Sequence, residues 1–163
     1  MRHILSLLVE NEVGALSRIS GLFSARAFNI ESLTVAPTED ETVSRMTIVT
    51  TGSDQIIEQI TKQLNKLVDV IKVVDLSEKQ HIERELMLIK INVRDAKRTD
   101  IDGIISSFQG RIIDDSEHTY TVELTDTGEK LDQFMQAIDN KLIVEVVRTG
   151  VSGIALGSSA IRV

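Results

Sequence analysis

Apolar residues are spaced along this chain in two alternating periods. From Ile4 to Val9 they form a run of strand length that stops at Glu10, Asn11 and Glu12, which predicts a buried strand and then a short acidic loop. Leu16, Ile19, Ser20 and Phe23 next fall at the i, i+3, i+4, i+7 spacing of one helix face, in a helix that opens at Gly14. A second strand, Ile30 to Ala36, starts after Asn29 and ends at Pro37, the one proline of the chain. Val43 to Thr51 is rich in β-branched residues and predicts a strand hairpinned to it across Glu39-Asp40-Glu41. Gly52-Ser53-Asp54 breaks that strand and offers caps for a helix with Ile57, Ile60 and Leu64 on its apolar face, and Val68 to Leu76 is a fourth strand.

Strand, helix, strand, strand, helix, strand is the split βαβ or ferredoxin-like order, with two helices on one face of a four-stranded antiparallel sheet. Ser77 to Glu83 (SEKQHIE) is polar and without period, so it reads as a linker. The order then returns. Leu86 to Val93 is a strand; Ile101, Ile104, Ile105 and Phe108 mark a helix ended by Gly110, with Gly103 a weak point inside it. Arg111 to Asp115 and Thr119 to Leu124 form a hairpin, Asp126 and Glu129 cap a helix carrying Leu131, Phe134 and Ile138, and Leu142 to Arg148 is the last strand. The fold expected is α+β, with two ferredoxin-like βαββαβ domains in tandem: residues 1–76, a linker at 77–84, and residues 85–163. The glycine-rich tail from Gly150 to Gly157 has no sustained period and is expected to fray, a strand extension being the alternative.

The net charge of −7 argues against a general nucleic-acid or anionic-membrane surface, and neither domain is a charged tail, since residues 1–76 carry net −3 and the rest net −4. With no cysteine, disulfides and thiolate chemistry are excluded. His3, His81 and His118 are scattered singly, so no metal site is expected. No apolar run is long enough to cross a bilayer, and the opening MRHILSLLV runs too soon into acid to be a signal peptide, which leads to an expected cytoplasmic location.

The candidate chemistry lies at the first helix start. Gly14, Ala15 and Leu16 present backbone N–H groups without intrahelical partners, where the peptide dipoles add partial positive charge and Gly14 allows close approach. Asn11 and Asn29 flank that point with donors and acceptors, as capture of an amino acid's carboxylate and ammonium would need. The same residues also suit a turn and two caps, and spacing alone favours that plainer reading. The other uses of this topology fail on residues. RNA recognition needs exposed aromatics on the central strands, yet Val43 to Thr51 has none. Acylphosphatase-like chemistry needs a basic first loop, and here Glu10 and Glu12 stand. GxSxG, HExxH and GxxxxGK[ST] are all missing, the carboxylate pairs sit in turns, and Arg18 and Arg26 read as solvated surface. The chain is therefore not expected to be an enzyme by itself.

The run NEVGALSRISGLFSARAFNIESLTVAPTED, continuing in VSRMTIVT and KLVDVIKVVDL, resembles the small regulatory subunits of acetolactate synthase (acetohydroxyacid synthase), whose first domain is an ACT domain. From ERELMLIKI to VVRTGVSGI the second half follows that family mainly by pattern and length. The resemblance implies a non-catalytic subunit that raises the activity of a catalytic large subunit, in branched-chain amino-acid biosynthesis, and confers feedback inhibition by valine. Thiamine diphosphate, magnesium and FAD would belong to that partner. It also implies ACT domains paired side by side, with effector at the interface. One chain would supply Asn11, Gly14, Ala15 and Leu16, the other Asn29 and Ile30. Where the family usually has glycine after the arginine that ends the first helix, this chain has Ala27, which implies backbone strain or a different turn beside Asn29. The rivals are a free-standing ACT-type amino-acid sensor and a small enzyme whose site carries no familiar motif.

Overall fold

The computed structural model describes the whole chain, residues 1–163. It resolves into two compact units, one of Met1–Glu83 with Val151–Val163 and one of Arg84–Gly150. The first holds β1 (Arg2–Glu10), α1 (Ala15–Ala25), β2 (Ser32–Pro37), β3 (Val43–Thr51), α2 (Asp54–Leu64) and β4 (Val70–Asp75), with an antiparallel sheet ordered β2-β3-β1-β4. β5 (His81–Asn92) leads into the second unit, where α3 (Arg98–Ser107), β6 (Arg111–Asp115), β7 (Thr119–Asp126), α4 (Gly128–Ala137) and β8 (Ile143–Arg148) repeat the topology as β6-β7-β5-β8. Both units are thus the ferredoxin-like βαββαβ arrangement the periodicity predicts.

In the first unit Leu5, Leu7 and Val9 of β1 pack with Met46 and Ile48 of β3 beneath Ile19 and Phe23 of α1 and Ile57, Ile60 and Leu64 of α2. The buried stripe of α1 is Ala15, Ile19 and Phe23, with Leu22 packed beside it, whereas Leu16 is 44% exposed. The helix is turned one position from the expected face, because Leu22 buries more apolar surface than Ser20 would. In the second unit Met87, Ile89 and Ile91 of β5 meet Ile101 and Ile105 of α3 and Leu131 and Phe134 of α4. Thr127, not Asp126, caps α4: its hydroxyl accepts from the Lys130 N–H, while Asp126 accepts from the Thr127 N–H at 2.7 Å.

α1 and α3 end alike. The Phe28 N–H reaches back to Phe23 O and the Ala27 N–H to Ser24 O; Gly110 and Gln109 repeat this with Ile105 O and Ser106 O. That is the Schellman arrangement, which requires a left-handed residue just past the helix, and Ala27 (φ 56°) and Gln109 (φ 57°) occupy it although neither is glycine. Phe23 and Phe28 meet edge to face with centroids 6.2 Å apart, the apolar contact that accompanies the motif. Strain is therefore the outcome at Ala27, not a different turn.

The tail does not fray, and the expected boundaries shift with it. β9 (Ser152–Ala155) belongs to the first unit, not to a domain running to residue 163. Val151 and Ala155 cover Ile4, Val49 and Leu76 on the sheet face away from the helices. The Val151 N–H donates to Ser32 Oγ, the Gly153 N–H to Thr47 Oγ1, and Arg45 to Gly153 O, each at 3.4 Å. β9 also pairs with β5, where the Leu156 N–H donates to Gln80 O at 2.9 Å, so half of the expected 77–84 linker is strand. Nothing local marks that pairing, because its partner lies some seventy residues away in sequence.

A Cβ at Gly153 would stand 2.8 Å from Leu76 Cδ1, a side chain with no exposed surface into which to move. Gly153→Val is expected to lower stability by about 1–3 kcal/mol through overpacking, read as a reduced urea midpoint with unchanged slope.

Candidate functional site

β1 ends in a loop held from two sides. The Glu10 N–H donates to Asp69 O at 2.8 Å, the Asn11 N–H to Thr42 O at 2.7 Å, and Asn11 Nδ2 to Glu41 O at 2.9 Å. Gly14 caps α1 in the left-handed region at φ 87°, which glycine adopts without strain. The Ala15 N–H is taken by Glu12 O at 3.2 Å, no side chain caps the helix, and its first turn carries no acid. The Leu16 and Ser17 N–H groups thus remain directed outward with the positive end of the helix dipole behind them. Val13, which opens this turn, is 97% exposed.

Arg18 completes this end. It donates from Nε and Nη2 to the two oxygens of Asp69, at 2.5 and 2.8 Å, and from Nη2 to Val13 O at 3.3 Å. A Cβ on Gly14 would lie 2.8 Å from Arg18 Nη1, so the guanidinium backs directly onto the turn. These hydrogen bonds hold the Asp69 carboxyl below its ordinary value and raise that of Arg18. Arg18 is exposed, as the sequence suggests, but it is also held in an ion pair. Its i+4 spacing from Gly14 is a legible signal, but Asp69, 51 positions away, is not.

The second group of expected residues lies elsewhere. Asn29 is exposed, and its carbonyl accepts from Thr50 Oγ1 at 2.6 Å; Ile30 is half-buried against the helix-side core. Thr50 is opposite His3 near the start of β1, whereas Asn11 follows its end, where Glu10 is opposite Val43. The two groups are therefore separated by the length of β1, about 23 Å at roughly 3.3 Å per residue. One chain brings Asn11, Gly14 and Leu16 together and keeps Asn29 and Ile30 apart from them. The Ala15 methyl is buried in the core, leaving only its backbone near the loop.

Residues 5–72 match the family described as the AHAS small subunit-like ACT domain, and residues 84–157 match the small subunit of acetolactate synthase. The chain is 53% identical over 163 residues to the acetolactate synthase isozyme 3 small subunit of Escherichia coli (strain K12), covering 99% of this chain and 100% of that one. It is 52% identical to the acetolactate synthase small subunit of Haemophilus influenzae, covering 99% of each. Its fold is similar to the crystal structure of the acetolactate synthase small subunit from Thermotoga maritima, with a TM-score of 0.89 and 36% identity over 98% of this chain and 99% of that one.

Because the folded-state value of Asp69 is depressed, its contribution to stability is present above the ordinary carboxyl value of 3.8 and is lost as pH falls through the folded value. Asp69→Asn should therefore be less stable than the parent at neutral pH, and the gap should close below pH 3.8. Denaturant midpoints across that range measure it.

Proposed function

The chain belongs to the family of acetolactate synthase small subunits, and on that premise we propose that it binds valine where two ACT domains pair and thereby sets the activity of its catalytic partner. As a small subunit it is a regulatory component beside a catalytic large subunit. On this reading thiamine diphosphate, magnesium and FAD are held by the large subunit, and the complex works in the cytoplasm. No helix of this chain is long and apolar enough to cross a membrane.

One observation carries the reading: the two halves of the expected site lie at opposite ends of one chain, beside an open sheet edge. β2 has β3 as its sole strand neighbour, so it is the edge strand at which another strand can add. In a two-fold pair β2 runs antiparallel to its copy. Ser32 is level with Val49 and Pro37 with Ser44, which is in turn opposite Val9. Antiparallel pairing therefore brings the Asn29 end of one chain to the Asn11 and Gly14 end of the other. The Leu16 and Ser17 N–H groups would receive the effector carboxylate, and Asn29 and the Asn11 amide its ammonium. An apolar pocket there discriminates by about 1–3 kcal/mol per methylene, so valine is preferred and leucine or isoleucine are weaker effectors. Linkage then requires valine to bind two states of the complex unequally. A free-standing sensor would bind valine as well but would form no complex with a large subunit.

Calorimetric titration of the purified chain should show valine binding that Asn29→Ala abolishes; binding unchanged in that variant removes Asn29 from the site. Gly14→Asp should leave the complex active and insensitive to valine. Ala27→Gly should raise stability by about 1 kcal/mol by relieving the left-handed alanine, with an equal or tighter valine affinity in the same titration.

A further inference from the structure

A groove of about 510 Å³ runs between α1 and α2, floored by Leu22 and Leu67 and edged by Arg18, Arg26, Gln63 and Lys66. On a chain of net charge −7, no aspartate or glutamate lines it. Arg26 donates from Nη2 to the neutral Gln63 Oε1 at 2.9 Å and has no carboxylate partner, and the Lys66 ammonium is bonded to nothing in the chain. Arg18 alone is neutralised, by Asp69. The other flank of α2 is opposite in sign: Asp54, Glu58, Asp75 and Glu78 surround a separate cavity, and its Lys62 is paired with Glu58 at 2.6 Å. Val68, next to Leu67, is 84% exposed. An apolar floor edged by cations without carboxylate partners is a surface with a complement of its own.

We propose that this groove docks an acidic segment of the catalytic large subunit, one that seats an apolar side chain on Leu22 and Leu67 and sets carboxylates against Arg26 and Lys66. The inference rests on the subunit partnership and goes beyond it by naming the contact. A free inorganic anion would use the cations but not the leucine floor. A second copy of this chain packed groove to groove would place the same cations against each other, which repulsion disfavours. An acidic segment with an apolar anchor satisfies both the floor and the rim, with the carboxylates steering encounter and the anchor supplying retention.

The test is the affinity of the full chain for purified large subunit, measured at low and high salt. Arg26→Glu with Lys66→Glu should weaken binding roughly ten-fold or more at low salt and flatten its salt dependence. The Arg26→Lys variant, which keeps the charge, should bind nearly as the parent. Lys62→Glu, on the acidic flank, controls for a charge reversal outside the groove. Parental affinity in the double variant, or equal weakening in Lys62→Glu, overturns the proposal, as does a changed oligomeric state of the isolated double variant with its large-subunit affinity unchanged. Valine titration and melting of the isolated variants should match the parent. Loss of valine binding without loss of large-subunit affinity also counts against the groove, whereas failure of the parent chain to bind large subunit removes the partnership itself.

Discussion

The whole first unit depends on β1 being covered on both faces. Seven consecutive residues, His3 to Val9, are buried. Leu5, Leu7 and Val9 go to the helix side, while Ile4 turns to the other face with Ser6, which accepts from Arg45 Nε at 2.6 Å. A strand of that kind cannot sit in a sheet with one wet face without exposing a row of apolar side chains. The helices cover one side, and the returning tail covers Ile4, Val49 and Leu76 on the other. The contrast is β5, whose burial alternates residue by residue, as in a sheet with a single packed face.

That constraint also positions the site. With β1 central and both its neighbours paired along it, the loop after Glu10 is held by β3 through Thr42 and by the approach to β4 through Asp69. Gly14 adopts the left-handed conformation there, and the Arg18–Asp69 pair ties the start of α1 to the same region. The result is a pair of outward N–H groups on a rigid scaffold, at one end of a sheet whose β2 edge is open. At the other end Thr50 fixes the carbonyl of Asn29. The fold thus keeps the Gly14 loop and Asn29 at opposite ends of β1.

Charge is distributed with similar economy. Asp54, Glu58, Asp75 and Glu78 gather on one flank of α2, while Arg26 and Lys66, neither paired with a carboxylate, edge the groove on the other. A net value of −7 conceals this, because composition averages over surfaces that never meet the same partner.

Local periodicity sufficed for the element order and the loop at Gly14, since each depends on residues a few positions apart, and that order matches the ferredoxin-like arrangement. The resemblance to a family with glycine at that position marked Ala27 as out of place, and the left-handed helix end bears this out. Tertiary structure alone decided what depends on distant partners. Asp69 gives the exposed Arg18 an ion-pair partner, β9 completes the cover of β1, and Leu22 rather than Ser20 turns α1 by one position. The separation of Asn11 from Asn29 is likewise a matter of register, set by which residues of β1 and β3 stand opposite each other. Periodicity reports which face of an element is apolar; only packing reports what is laid against it.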